Sequence, residues 1–436
     1  MLDTLKRLYR AMPLDHRTRA GVRSTLRRIA RLLNSPGASA YRLPSAEILG
    51  ASASGRPDYL FFAVIDWHFR IQRPQHLATE LATTGHRVFY LSSEMVEHPR
   101  PGFRLEALGG EGRLFQVRLH ASGSPSIYYS TPSRNVEAQL GAGLVSLLEW
   151  AQVERVLLLV QHPFWRSLAL AVPQRKLYRK LIYDCMDYHE GFDTFADSLK
   201  KAELGLVRTA DLTVVTSVWL RDLVAPNARR VALVRNASEF AHFATPPPIP
   251  YRDPSGRSVI GYYGALAEWF DVDLVRAVAE RFSDALVLLL GHDQAHVQRA
   301  LRDLPNVRFM GEVSYAELPR FLHGFDVCLL PFRIRPLTLA TNPVKLYEYL
   351  SAGKPVVSVD LPEARECEGL IHVAAGTEAF LVQVRLALES GRDPAAAAVR
   401  QAFAASQTWR ERARELELEV ERLPWHGPLG GAGLRA

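Results

Sequence analysis

Lys345 and Glu348 are the two residues whose types and spacing fit chemistry best. They lie three apart in the stretch 341–357 (TNPVKLYEYLSAGKPVV) and so share one face of a helix. A cation in the first turn of a helix is disfavoured by the helix dipole, unless an anion docks there against the free N–H groups. The same spacing also suits a capped surface helix with a solvated lysine and glutamate. A second centre lies near Asp187-Tyr188-His189-Glu190. There Asp187 is a carboxylate able to take a proton from a hydroxyl nucleophile, or one that caps its own loop; Asp66 offers the same chemistry. Arg70 and Arg73 carry charge suited to a phosphate, or pair at the surface, and His68 and His189 read as hydrogen-bonding loop residues.

The elements that must position these groups follow from periodicity. Around the helix, Asn342 is expected as N-cap and Pro343 as the first helical residue. Gly353 is expected in the left-handed position after the helix, with Pro355 stopping it before a strand over 355–359. The run 59–65 (YLFFAVI) is continuously apolar, as in a central parallel strand. A helix over 74–84 and strands over 87–91, 155–160, 180–183, 212–215 and 230–234 continue the alternation. After Pro246-Pro247-Pro248-Ile249-Pro250, a stiff spacer, the rhythm restarts. Strands are expected over 258–264, 285–291, 307–311, 327–332 and 355–359, with a helix over 273–281. The fold class is therefore α/β, with two Rossmann-like, doubly wound parallel sheets facing a cleft. Gly264, Gly291 and Gly311 end strands of the second half, where backbone approaches a ligand closely. The expected division is an arm and linker over 1–54, domains over 55–250 and 251–400, and a helical tail with a disordered end over 401–436.

Composition narrows the partners. The chain of 436 residues has a net charge of +7, and residues 1–45 hold ten lysines and arginines against two aspartates, +8 by themselves. The remainder is close to neutral, which removes the compositional case for nucleic-acid binding by the folded body. Leucines and Val22, Leu26 and Ile29 alternate with arginines over 1–34 in a basic amphipathic pattern. Such a helix suits an anionic membrane surface, or docks on the body with its basic face solvated. No apolar run is long enough to cross a bilayer, and no secretory signal is expected. Cys185, Cys328 and Cys367 form no CxxC pair, which fits a reducing cytosol and gives no metal framework.

With these residues in place the chain resembles GT-B glycosyltransferases, above all the retaining family 4 (group 1) and its bacterial teichuronic-acid and exopolysaccharide-type members. The resemblance spans about 58–400. It rests on Trp67-x2-Arg70-x-Gln72-Arg73-Pro74-Gln75-His76-Leu77, Tyr183-Asp184-Cys185-Met186-Asp187, Gly261-Tyr262-Tyr263-Gly264 and Leu304-Pro305-Asn306-Val307-x2-Met310-Gly311. The stretch from Asn342-Pro343-x-Lys345-x2-Glu348 to Val357 completes it. It implies a nucleotide-sugar held by the C-terminal domain, with Glu348 on the ribose hydroxyls. Lys345, the Asn342 region and the amides near Gly264 would meet the diphosphate, and no metal or other cofactor is needed. Asp271-Val272-Asp273 matches the metal motif of the other glycosyltransferase fold, but at a helix start it reads as a cap. Two departures stand out. The glutamate that such enzymes place eight residues before Glu348 is Ala340 here. Where a basic pair commonly follows the first C-terminal strand, the chain has Ala265-Leu266-Ala267-Glu268.

The expected activity is metal-independent transfer of a sugar from a nucleotide diphosphate to a glycan or lipid-linked acceptor of a cell-surface or secreted polysaccharide. Retention is favoured by the resemblance; inversion with Asp187 as base stays open because of Ala340. A silent nucleotide- or sugar-binding subunit of an assembly complex and an epimerase on the same fold are the competing readings. The expected location is the cytoplasm, with the arm able to sit on the inner face of the membrane. A nicotinamide-dependent enzyme is disfavoured by the absence of GxGxxG after any strand.

Overall fold

The computed structural model describes residues 49–427 apart from 51–54, 124, 174–176, 193–194 and 392. The expectations for the arm over 1–34 and for a disordered end beyond 427 lie outside these residues. Continuous apolar runs become central strands because both sheet faces are covered. The first sheet contains β1 (Asp58–Phe62), β2 (Val88–Leu91), β3 (Val96–Glu97), β4 (Phe103–Gly109), β5 (Leu114–Ala121), β6 (Arg155–Val160), β7 (Tyr178–Cys185), β8 (Leu212–Val215) and β9 (Val231–Leu233). Its order is β3-β5-β2-β1-β6-β7-β8-β9, with β4 antiparallel on β5 and the other pairings parallel. The second sheet contains β10 (Val259–Tyr263), β11 (Leu286–Leu290), β12 (Val307–Gly311), β13 (Val327–Leu330), β14 (Val356–Val359) and β15 (His372–Ala374). It is wholly parallel, in the order β12-β11-β10-β13-β14-β15.

Both orders reverse direction once near the middle, between β1 and β6 and between β10 and β13. In open α/β sheets the loops leaving such a reversal part to opposite faces and leave a crevice for ligands. In the second domain those loops carry Gly264 and Phe332.

Strands β3, β4, β5 and β15 and the division of the tail lie outside the pattern expected. The β4–β5 hairpin escaped the sequence because β4 is an edge strand with exposed Arg104 and Glu106, so it lacks the apolar run of a central strand. The tail is two helices, Pro394–Ala405 and Trp409–Glu421, broken where Thr408 accepts from the Glu411 amide at 3.3 Å and starts a new helix. The last helix crosses back to the first domain, burying Trp409, Ala413, Leu416 and Val420 with Tyr59, Leu77 and Leu81. The His76 ring stacks on Trp409, centroids 4.9 Å apart.

Candidate functional site

The helix carrying Lys345 and Glu348 runs Val344–Ser351. Leu346, Tyr349 and Leu350 are buried in the core of the second domain, which fixes the rotation of the helix. Gly353 takes φ +69°. The amides of Gly353 and Lys354 donate to Leu350 at 2.9 Å and Tyr349 at 3.0 Å, closing the helix end as its glycine predicts. The start differs from expectation. Pro343 is the N-cap residue, and no side chain caps the helix.

Glu348 is only 7% exposed, and its Oε2 accepts a hydrogen bond from Tyr263 Oη at 2.8 Å. Burial pushes its carboxyl up to about 7, against the opposing pull of the Tyr263 bond and of Lys345. Lys345 has no hydrogen-bond or ion-pair partner among the described residues. Its Nζ lies over the rings of Tyr262, at 5.7 Å from the centroid, and Phe332, at 5.5 Å. Burial lowers its pKa, and Glu348 opposes that shift. The site is a lysine that makes no hydrogen bond or ion pair among the described residues, on the same helix as a carboxylate held by one tyrosine.

The three strand-end glycines meet at this edge. The Gly264 amide donates to Leu290 O at 2.9 Å and the Gly291 amide to Gly311 O at 2.7 Å. Gly264 and Gly291 take φ +137° and +143°, and a Cβ on Gly291 would come within 1.8 Å of Gly264 O. A Cβ on Gly264 would meet Lys345 Cε at 2.8 Å, so the lysine lies against that turn. Gly311, at φ +71°, faces open space.

In the first domain Asp187 follows β7 and is half-buried. No donor among the described residues bonds its carboxylate. Burial raises its pKa, His189 lowers it, Asp184 raises it and Arg73 lowers it. Asp66 is the opposite case. It accepts from Ser92 Oγ at 2.7 Å, Gln116 Nε2 at 2.7 Å, the His68 amide at 3.0 Å and Arg118 Nη2 at 3.0 Å. Burial pushes its carboxyl up, but these bonds outweigh it and hold the group low. A carboxylate so fully bonded is a poor base.

The arginines are engaged with protein. Arg70 Nε donates to Glu312 Oε1 at 2.7 Å, joining the loop after β1 to the residue after β12. Arg73, 3% exposed, grips Asp184 with Nε at 3.1 Å and Nη2 at 2.9 Å, and donates to Val234 O at 3.0 Å. It supports the first-domain loops from inside and does not pair at the surface. His189 Nδ1 donates to Glu203 Oε1 at 2.9 Å, which makes it a buried member of the first domain.

Asn342 also departs from expectation. It is buried; its Oδ1 accepts from the Asn236 amide at 2.8 Å, and its Nδ2 donates to Tyr347 Oη at 3.0 Å and Glu363 Oε2 at 2.8 Å. Its side chain joins the two domains and presents no group to the crevice. Glu363 completes this joint, accepting also from Arg235 Nε at 2.7 Å and the Val218 amide at 2.9 Å. Ala340 lies beside it, buried in the first domain's core with its carbonyl accepting from Ser217 Oγ at 2.7 Å. Position 340 is thus packing, in a place where a glutamate would be desolvated. Tyr263 and Glu363 were not singled out from sequence. For Tyr263 the signal is strand alternation: neighbouring Tyr262 and Tyr263 point to opposite faces of β10, and one of them must reach the helix. Asp271 is a helix cap, its carboxylate accepting from the Leu274 amide at 3.1 Å.

Two Rossmann-like parallel sheets, with the nucleotide-type crevice at the reversal of the second, make this the two-domain GT-B architecture. Residues 257–390, within the second domain, match the family described as Glycosyl transferases group 1. The chain is similar to TuaH of Bacillus subtilis (strain 168), named as a candidate glycosyltransferase of teichuronic acid biosynthesis. The identity is 29% over 209 residues, 43% of this chain and 52% of the relative, so the chain spans about half the length of the curated relative it matches. Among solved structures, sucrose-phosphate synthase of Thermosynechococcus elongatus superposes with a TM-score of 0.64 at 14% identity, covering 84% of this chain and 99% of that one. Anabaena Alr3699/HepE in complex with UDP and glucose gives 0.60 at 15%, covering 84% and 100%. At such identities the superpositions carry the fold.

Proposed function

We propose that this protein transfers a sugar from a nucleotide diphosphate to a glycan or lipid-linked glycan acceptor of a cell-surface or secreted polysaccharide. The observation that carries the reading is the pairing, on one helix, of a buried Glu348 with a Lys345 that makes no hydrogen bond or ion pair among the described residues, at the reversal point of a parallel sheet. Glu348 accepts the vicinal ribose hydroxyls, a geometry suited to a carboxylate. Lys345 and the amides of the Gly264 turn neutralise the diphosphate, whose charge grows as the sugar leaves. The neighbours crystallised with UDP and glucose or UDP-2-fluoro glucose support a nucleotide-sugar in a fold of this kind. TuaH's printed role supports an envelope polysaccharide as destination. The test is calorimetric titration of wild type, Lys345→Ala and Glu348→Ala with nucleoside diphosphates; equal affinity in all three removes the reading.

A second reading concerns stereochemistry. Asp187 is a half-buried carboxylate that no donor among the described residues bonds, and position 340 holds no carboxylate. Both favour inversion, with Asp187 deprotonating the acceptor hydroxyl. Product configuration by NMR decides between inversion and retention. The basic arm supports a place on an anionic membrane face; removal of residues 1–40 then abolishes binding to phosphatidylglycerol-containing vesicles at moderate salt, and unchanged binding removes that role.

A further inference from the structure

A nucleotide diphosphate brings two negative charges into the crevice, and one lysine is a small counter to them. The loop after β10, where the first cation of such a site would be sought, reads Ala265-Leu266-Ala267-Glu268 and supplies none. The loop on the other side of the reversal does. It leaves β13 as Pro331-Phe332-Arg333, and it is stitched to the first loop along its length. The Asp271 amide donates to Pro331 O and the Arg333 amide to Trp269 O, each at 2.8 Å, and Phe270 and Phe332 form an antiparallel bridge.

This stitching builds an aromatic platform from Tyr262, Phe270 and Phe332. The Tyr262 centroid lies 5.0 Å from that of Phe270 and 6.4 Å from that of Phe332. Lys345 Nζ rests over Tyr262 and Phe332. Arg333 leaves the residue after Phe332 and reaches the Phe270 end, its Nε donating to Phe270 O at 3.3 Å. Lys345 thus lies over this platform at the Gly264 turn, and Arg333 bonds the backbone at its Phe270 end. The anionic partner of Arg333 is Asp273 at 3.6 Å, with that side chain 84% exposed and the arginine 41% exposed. A pair so open to water is weak. A guanidinium fork that exchanges it for two phosphate oxygens gains charge-assisted bonds in a drier place.

We propose that Arg333 is the second cation of the diphosphate site, contributed by the β13 loop in place of the basic residues that 265–268 lack. This rests on the nucleotide-sugar reading above. It makes Arg333 a binding residue for the two phosphates and indifferent to base and sugar.

The experiment titrates the full chain with UDP, GDP, ADP and dTDP, then carries forward the tightest of them and its nucleoside. For Arg333→Ala the diphosphate affinity falls about tenfold or more, as expected for loss of a charged hydrogen-bonding partner, while nucleoside affinity is unchanged. Arg333→Lys recovers part of the loss, and Arg302→Ala, an equal charge change at an exposed site, leaves both affinities as in wild type. Wild-type diphosphate affinity in Arg333→Ala overturns the proposal, as does a parallel loss for diphosphate and nucleoside, which marks a structural role. If diphosphate binding depends on Lys345 but not on Arg333, this inference alone fails. If wild type binds none of the four, the nucleotide reading fails with it.

Discussion

Tyr263 Oη donates to Glu348 Oε2 at 2.8 Å, and it is the one protein donor that bonds this buried carboxylate among the described residues. The bond ties the end of β10 to the functional helix and holds the carboxylate where its other lone pairs are unspent. A group kept this way is costly to the fold and useful to a ligand that brings hydroxyls.

The cost has a pH signature. Burial first of all raises the Glu348 pKa from 4.5 to about 7, so the folded state holds the proton more tightly than the unfolded chain. Its contribution is most favourable below 4.5 and is lost as pH rises towards 7, then stays lost. Glu348→Gln keeps an acceptor for Tyr263 and removes the titration. Denaturant unfolding is expected to show the variant more stable than wild type by about 1–3 kcal/mol at pH 8, with the gap closing below pH 4.5. A gap that does not change with pH would mean that Glu348 ionises normally.

The same proton competes with donor binding. A nucleotide-sugar has no ionisation of its own near neutrality, so its affinity is expected to rise from pH 6 to 8 and level off once Glu348 is ionised. Glu348→Gln should bind weakly and with no such rise. Calorimetry across that pH range reads both.

Asp187→Asn separates binding from chemistry. If Asp187 is the base, turnover falls by about 10²–10⁴-fold while donor affinity is kept. Since burial raises its pKa, wild-type turnover should also fall as pH drops through that raised value. Full activity in the variant would place the base elsewhere or support retention.

Glu363 tests the joint between domains. Its carboxylate is 1% exposed and serves Arg235, Asn342 and the Val218 amide. Glu363→Ala takes the acceptor from the buried Asn342 side chain and the Val218 amide and leaves Arg235, 26% exposed, with Glu366 alone, and a loss of about 1–3 kcal/mol in unfolding free energy is expected. Arg70→Ala breaks an exposed pair, 34% and 54% open, and should change stability by less than about 1 kcal/mol.

Much of this was legible in the residues, and the limits have physical causes. Strands β6 and β8 begin and end where periodicity puts them, because a buried parallel strand is a mainly apolar run bounded by polar residues; β12 keeps its expected bounds as a partly exposed edge strand closed by Gly311. Gly353 marks the helix end because only its conformation closes it cheaply. The helix start differs from its local signal: Asn342 has the chemistry of a cap, but its Oδ1 accepts instead from the backbone amide of a long-range partner, Asn236. Arg73 was read as a surface or phosphate arginine because its partner Asp184 is 111 residues away. Spacing finds neighbours on one element, and these bonds join separate ones.

The central claim is that Lys345 and Glu348 divide a nucleoside diphosphate between them, and one measurement addresses it directly. Calorimetry compares a nucleoside diphosphate with its nucleoside on wild type, Lys345→Ala and Glu348→Ala at pH 8. The account predicts that Lys345→Ala loses the extra affinity given by the diphosphate and keeps nucleoside binding, while Glu348→Ala weakens both ligands through the ribose. Affinities equal to wild type in both variants would contradict it.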